Sequence, residues 1–241
     1  MFTAARREQL LAEGRPLYLR HCATCHGVEG DGQGPSAQFL DHPPRNFLTG
    51  SYNFRMTPLG SLAREEDVYR TLSLGVLRTA MPGWKDALSH EQRRTLSRYV
   101  LALSARTLTE VPGPTLVIPP EPADDDASRS RGRALFTEYG CSACHGDQGR
   151  GDGAASAALV DENGAPIRPA NFHVGFQGGK GAVVAFRAIS TGLNGTPMPS
   201  FGPILDDAQR WDLAHFVHSL QQPRSAADYL FNDPAGRIQT P

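Results

Sequence analysis

The stretch Cys22-Ala23-Thr24-Cys25-His26-Gly27 constrains this chain more than any other. In the spacing C-x-x-C-H, two thiols from one turn can bond the two vinyl groups of a porphyrin. The histidine that follows is then placed under the iron as a proximal ligand. The pattern returns at Cys141-Ser142-Ala143-Cys144-His145-Gly146, 119 residues later, and the two copies use all four cysteines of the chain. One C-x-x-C alone says little. Two copies of C-x-x-C-H with no cysteine left over point to two covalently bound haem c groups.

The rest of the sequence repeats around these motifs. Each is followed by a glycine-rich loop, Gly30-Asp31-Gly32-Gln33-Gly34 in the first half and Gly149-Arg150-Gly151-Asp152-Gly153 in the second. Neither loop has the strand or the Gly-Lys-Ser/Thr context of a phosphate loop. Pro44-Arg45-Asn46-Phe47 matches Pro169-Ala170-Asn171-Phe172. Further on, the halves align without a gap at an offset of 117, through Arg70/Arg187, Ser73/Ser190, Gly75/Gly192, Thr79/Thr196, Met81/Met198 and Leu96/Leu213. The offset falls from 119 to 117 through an insertion near 159–167 and a deletion after Phe172, both in expected loops.

Helical segments are expected at 4–21, 65–74 and about 129–139, and in two closing helices. Gly75 ends the 65–74 helix. The closing helices open on capping boxes, Ser89 with Gln92 and Asp206 with Gln209. Gly14-Arg15-Pro16 should kink or restart the first helix. Residues 107–128 hold five prolines, five acids and no base, which is the composition of an extended linker, and the apolar Leu116-Val117-Ile118 within it suggests that part of it lies on protein surface. The expected architecture is all-α, with two domains in tandem: 1–106, a Pro/Asp-rich linker 107–128, 129–222, and a polar tail 223–241.

A six-coordinate haem needs a second axial ligand. Of the four methionines, Met1, Met56, Met81 and Met198, only Met81 and Met198 occupy matched positions, in Thr79-Ala80-Met81-Pro82 and Thr196-Pro197-Met198-Pro199. A neutral, soft thioether favours the ferrous state, so His/Met ligation raises the potential relative to His/His. Met56 has no counterpart and is read as core or surface. His42 and His173 lack the repeated context of the methionines and are read as surface or haem-edge residues. The proximal histidines each need a carbonyl to hold the second ring nitrogen. The loops at Gly34-Pro35 and Gly153-Ala154 are the expected sources. Arg45, Arg55, Arg70 and Arg187 are candidates for the propionates, and Trp84 and Phe201 for pocket walls. Zinc is the competing reading for Cys and His together. It fits poorly with motifs so far apart, each carrying the same downstream methionine.

On these residues the chain resembles a tandem dihaem cytochrome c built of two class I-like domains, over about 5–105 and 129–221. The resemblance implies a small helical domain in which the first and last helices cross near the haem, and single-electron transfer between a donor and an acceptor protein. The Pro-x-Asn-Phe elements resemble those of dihaem cytochromes serving bacterial respiratory oxidoreductases. Alternatives are a dihaem enzyme with one labile ligand, or a subunit of a larger dehydrogenase complex. Thiosulfate dehydrogenase-like proteins rely on a cysteine ligand, and no fifth cysteine exists here.

Charge and hydropathy narrow the setting. The net charge of -1 argues against a general nucleic-acid binder. With only two lysines, Lys85 and Lys180, any basic docking patch is made of arginine. No run of 18 apolar residues is present, so no transmembrane segment is expected. Residues 2–13 lack the apolar core of a secretory signal. A periplasmic location is therefore expected from the haem motif, with the chain read as a processed mature form.

Overall fold

The computed structural model describes residues 1–221, and the tail expected over 223–241 lies outside them. The chain divides into two compact units, Met1–Thr115 and Leu116–Pro241. Among the described residues both are helical, with one isolated β-bridge, Val160 to Pro166, in place of any strand.

In the first unit, α1 (Ala4–His21) opens on Thr3, whose hydroxyl accepts from Arg6 N at 3.1 Å. The break expected at Gly14–Pro16 is absent, and α1 runs through as one helix. Pro16 lies on the exposed side, so the carbonyl it frees is open to water. Gly14 serves a different purpose. A Cβ there would stand 2.4 Å from Tyr99 Cβ, so the glycine is what lets α1 cross α4 (His90–Leu103) closely. A short turn of helix, α2 (Ala23–His26), follows α1, and α3 (Glu65–Leu74) packs on α4. Arg93 on α4 donates to Ser73 Oγ on α3 at 2.7 Å, tying the two helices through a buried bond. Arg7 reaches the last carbonyls of α4, Ala102 O at 2.7 Å and Leu103 O at 3.2 Å, which satisfies acceptors the helix cannot satisfy itself.

The second unit is built the same way. α5 (Asp126–Glu138) crosses α8 (Asp207–Ser219), with α6 (Ser142–His145) after α5 and α7 (Ala182–Thr191) against α8. Gly132 is its crossing residue, and a Cβ there would lie 2.0 Å from Asp212 O. Arg210 donates to Ser190 Oγ at 2.7 Å, repeating the Arg93–Ser73 tie. Both expected capping boxes form.

Within the stretch 107–128, residues up to Thr115 fall in the first unit and those from Leu116 in the second. Thr107 O accepts from Phe2 N at 2.7 Å, closing the first unit. Leu116 and Ile118 pack against the second core while Val117 between them is 83% exposed. That alternation is what an extended segment gives when one face lies on apolar surface. Asp125 caps α5 by accepting from Ser128 N at 2.8 Å, so the helix begins three residues before the expected 129.

Candidate haem sites

Each C-x-x-C-H motif begins where a long helix ends. Cys22 caps α1 and sends its N–H to Tyr18 O at 2.8 Å. The chain then makes one new turn, with His26 N bonded to Cys22 O at 2.9 Å; His145 N is bonded to Cys141 O at the same distance. A four-residue helix has carbonyls with no partner inside it, and the glycine-rich loop supplies the donors. In the first unit Gly32 N bonds His26 O at 2.9 Å, Gly34 N bonds Cys25 O at 3.1 Å and Ser36 N bonds Thr24 O at 2.9 Å. In the second, Gly151 N bonds His145 O at 2.8 Å, Gly153 N bonds Cys144 O at 3.1 Å and Ala155 N bonds Ala143 O at 2.9 Å. The loop lies too close for side chains: a Cβ on Gly34 would stand 2.4 Å from Thr24 O, and one on Gly153 2.3 Å from Ala143 O. The glycines are there to hold the motif, which is why they recur at matched places.

The carbonyl that fixes each histidine comes from an unexpected element. His26 Nδ1 donates to Arg45 O at 3.0 Å and His145 Nδ1 to Ala170 O at 3.2 Å. These are the second residues of the two Pro-x-Asn-Phe elements, and the Gly34-Pro35 loop plays no part; Pro35 O instead accepts from Gln38 at 3.3 Å. The same elements bring a phenylalanine onto each ring. Phe47 stacks on His26 with centroids 4.5 Å apart at 22°, and Phe172 on His145 at 4.6 Å and 22°. Asn46 and Asn171 fold the element, accepting from Leu48 N and His173 N two residues on. Phe47 N to Gly30 O at 2.7 Å and Phe172 N to Gly149 O at 2.8 Å dock it on the glycine loop.

Burial pushes both imidazoles below their ordinary range. The carbonyl bond works against that in each, and at His26 the Arg45 charge adds to it. A neutral ring whose Nδ1–H is committed to a carbonyl presents Nε2 as a bare lone pair, the form that binds a metal. Burial also pushes the Cys22 thiol up to about 12 and the Cys141 thiol up to about 11. All four cysteines are free of disulfides. Neutral buried thiols suit thioether formation and do not suit zinc, which takes thiolates. Among the described residues no group of three or more His, Cys, Asp or Glu is placed to hold a metal ion. Trp84 Nε1 is buried with no protein acceptor, a donor left over in the wall beside Met81. The residues therefore fit a haem and do not fit zinc.

The methionine loops are also built twice. Thr79 Oγ1 donates to Val76 O at 2.9 Å and accepts from Met81 N at 3.1 Å; Thr196 Oγ1 donates to Leu193 O at 2.9 Å and accepts from Met198 N at 3.2 Å. Val76 N bonds Met81 O and Leu193 N bonds Met198 O, so each methionine backbone is clamped on both sides. Met81 packs against the cluster that holds Cys22 and Phe47, together with Trp84. Trp84 meets His21 edge-on at 5.3 Å, where the second unit has Phe201 against Tyr139 at 6.4 Å.

The arginine candidates are engaged by protein acceptors. Arg45 donates to Asn53 Oδ1 at 2.6 Å, Arg70 to Asp67 Oδ1 at 3.3 Å and Arg187 to Gly178 O at 3.2 Å. Arg55 is fully buried and donates to the carbonyls of Pro58 and Tyr52. Burial lowers its pKa to about 10, with Asp67 acting in the opposite direction. Tyr18, which the sequence places on the apolar face of the first helix, also has a polar role: its hydroxyl donates to Gly27 O at 2.8 Å, just after the proximal histidine, while Phe136 takes its place in the second unit.

Comparison with known proteins agrees with this geometry. Residues 9–100 match the family described as cytochrome c oxidase, cbb3-type, subunit III, and residues 130–221 match the cytochrome c family. The chain is similar to the cbb3-type cytochrome c oxidase subunit CcoP of Azospirillum sp. (strain B510), 29% identical over 211 residues, which cover 87% of this chain and 62% of that protein. It is also similar to the CcoP of Helicobacter pylori (strain ATCC 700392 / 26695), 24% identical over 60% of this chain and 41% of that one. The chain thus spans less than two thirds of the length of these relatives. A solved structure, the Kuenenia stuttgartiensis reducing HAO-like protein complex Kustc0457/Kustc0458, holds a chain that is 39% identical with a TM-score of 0.84, covering 87% of this chain and 96% of that one. With one cytochrome c domain in each half and the attachment geometry formed twice, the chain belongs to the tandem dihaem cytochromes c, with one haem c bound covalently in each domain.

Proposed function

We propose that the two haems are bound through Cys22 and Cys25 and through Cys141 and Cys144, with His26/Met81 and His145/Met198 as axial pairs. The observation that carries this is the duplicated threonine clamp, which fixes the backbone of Met81 and of Met198 with the same bonds. Met56, by contrast, has no counterpart of this kind in the second unit. A bound haem supplies reversible one-electron chemistry. The chain's part is to hold a neutral imidazole by its Nδ1–H, to present the thioether and to shield the pocket with Phe47, Phe172, Trp84 and Phe201.

With both axial positions filled, the protein passes electrons singly from one redox protein to another and transforms no substrate. Its relatives are CcoP subunits of cbb3-type oxidases, which supports a periplasmic role delivering electrons to a membrane-bound oxidoreductase. Among the described residues no helix is long and apolar enough to cross a membrane. A second reading, as an electron-transfer subunit of a larger complex, is favoured by the chain of the reducing HAO-like protein complex, which matches over nearly its whole length.

Met81→Ala and Met198→Ala test the ligands. Each should abolish the weak sulfur-to-iron charge-transfer band of one haem, lower its potential and admit azide to that haem alone. An unaltered band in either variant removes that methionine from the scheme. Rapid azide binding to the oxidised wild-type protein would contradict the pure carrier.

A further inference from the structure

The two methionine loops share their clamps but not their outer faces. In the first unit Leu74, at the end of α3, is 58% exposed and Leu77, in the loop, is 38% exposed. The matched residues of the second unit, Thr191 and Asn194, are 3% and 4% exposed. The second unit carries its inserted hairpin, 159–167, at this place. The hairpin closes on itself through Asp161 N to Ala165 O at 2.9 Å and Ile167 N to Leu159 O at 3.0 Å. It reaches the Met198 loop through Glu162 N to Gly195 O at 3.0 Å. The first unit lacks the insertion, and its Met81 loop keeps an open apolar face.

Charge differs at the same place. Arg78 stands where the second unit has Gly195, Lys85 where it has Gly202, Asp86 where it has Pro203, and Arg20 where it has Glu138. Three cations less one acid give +2 beside Met81, against -1 from the one acid at the matched positions beside Met198. Glu162 of the hairpin makes the second face more acidic still. The first set comes together through backbone contacts. A Cβ on Gly83 would lie 2.9 Å from Leu74 C, Lys85 N bonds Ser73 O at 3.3 Å, and Trp84 meets His21, the neighbour of Arg20, at 5.3 Å. Arg20 and Lys85 are exposed and Arg78 is half-buried. Arg78 is also the one non-glycine residue with positive φ among the described residues, at 59°, where Gly195 has 74°. An L side chain is disfavoured in that conformation. At Gly195 there is no room for one, since a Cβ would lie 2.9 Å from the Glu162 carboxylate. The first unit thus holds an arginine, at a cost, where the second has glycine, and backbone strain kept beside a functional loop points to a use for the side chain.

We propose that the face formed by Leu74, Leu77, Arg78 and Lys85, with Arg20 at its edge, docks an acidic redox protein on the first haem domain, and that the hairpin 159–167 closes the matching face of the second domain to that partner. A small apolar centre with a charged rim is the form a transient interface takes. Rim cations speed the encounter with a partner of opposite sign and make it sensitive to salt. Three cations are too few to hold the chain on an anionic membrane, which takes clusters of about four to eight. The proposal rests on the electron-carrier reading above and adds to it the surface charge of one partner and the domain that meets it.

Flavodoxin, a small acidic redox protein, serves as the probe. It is added oxidised to the isotope-labelled, fully reduced dihaem protein, so that both are diamagnetic and no electron moves. Amide resonances over 74–85 should shift, while those over 191–202 stay in place. The affinity should fall on the order of tenfold between about 10 and 150 mM salt. Arg78→Gly, which relieves the strain and keeps the fold, should weaken binding about threefold at low salt, as should Lys85→Gln. Arg78→Lys should restore it, and Glu162→Gln should leave it unchanged. Arg78→Gly should also keep the sulfur-to-iron band of Met81, so that lost docking is read apart from lost ligation. Shifts that fall on the second domain overturn the proposal, as does an affinity indifferent to both Arg78→Gly and Lys85→Gln. The same amides moving with the concentration of the protein alone would make a second copy the occupant. Their moving with phosphatidylserine vesicles but not with flavodoxin would make it a membrane. Either result equally overturns the proposal.

Discussion

Gly132→Ala should destabilise the second domain and disturb its haem while leaving the first untouched. The added Cβ would stand 2.0 Å from Asp212 O, 2.5 Å from Asp212 C and 2.8 Å from Phe216 Cβ. The nearest atoms are backbone and cannot rotate away. Reaching an ordinary contact of about 3.4 Å requires α5 and α8 to part by roughly 1.4 Å at the crossing. Overpacking of this kind costs about 1–3 kcal/mol, and a backbone clash belongs at the upper end. Alanine returns about 1 kcal/mol through its better helix propensity. The net expectation is a loss of about 2 kcal/mol, a factor of roughly 30 in the folded-to-unfolded ratio. Denaturant unfolding followed at the haem absorption bands measures it, with Arg133→Ala, an exposed position on the same helix, as the control for propensity. The shift should also reach the iron. Phe216 packs on Phe136 at 5.4 Å, Phe136 on Phe172 at 6.3 Å, and Phe172 stacks on His145. Paramagnetically shifted NMR resonances of the second haem should therefore move while those of the first do not. Stability equal to the control, with unmoved resonances, would show that the crossing is looser than described and refute the reasoning.

Two other expectations rest on single bonds. Thr79→Val or Thr196→Val keeps the volume but removes both bonds of the clamp, a loss of about 1–3 kcal/mol in loop stability; azide should then compete for the iron of that domain, and Thr→Ser at the same position should restore exclusion. The Asp212 carboxyl is held below the usual carboxylate range: burial pushes it up, but the bonds from Arg131 and Ser128 and the charges of Arg131 and His215 more than offset this. A carboxyl lowered by folding stabilises above its unfolded pKa of about 3.9 and loses that contribution as pH falls through the folded value. Circular dichroism should accordingly show the second domain losing stability below about pH 4, and Asp212→Asn should be less stable than wild type at neutral pH but flatter across the acid range.

The repeat made much of this legible before any coordinates. Helix ends carried by Gly75, by Ser89 with Gln92 and by Asp206 with Gln209 stand where the sequence places them, because a cap is a local event set by three or four residues. What depends on distant backbone was misplaced. Gly14 next to Pro16 reads as a helix breaker, yet its reason is Tyr99, 85 residues away. The carbonyl for His26 was sought in the nearer loop, whereas Arg45 O supplies it from 19 residues on. Composition marks 107–128 as linker and Leu116-Val117-Ile118 as lying on protein surface, but not that α5 starts at Asp126 within this stretch. No sequence pattern announces a carbonyl acceptor, since every residue has one.

The contrast between shared and unshared bonds says where the two haems are free to differ. Everything that touches the C-x-x-C-H backbone or clamps the methionine backbone is present twice, down to a few tenths of an ångström. The walls are not. In the first domain they carry the Tyr18 hydroxyl and the His21–Trp84 pair with its unmatched N–H. At the places of Tyr18, His21 and Trp84 the second domain has Phe136, Tyr139 and Phe201. Haem potential responds to axial ligands, nearby charge, hydrogen bonding and burial. With the proposed His/Met pair in both domains, ligand type is held constant, and a difference in potential between the haems is then expected from these walls. Exchanging wall residues between domains, while leaving the clamps alone, separates the contribution of the walls from that of ligation.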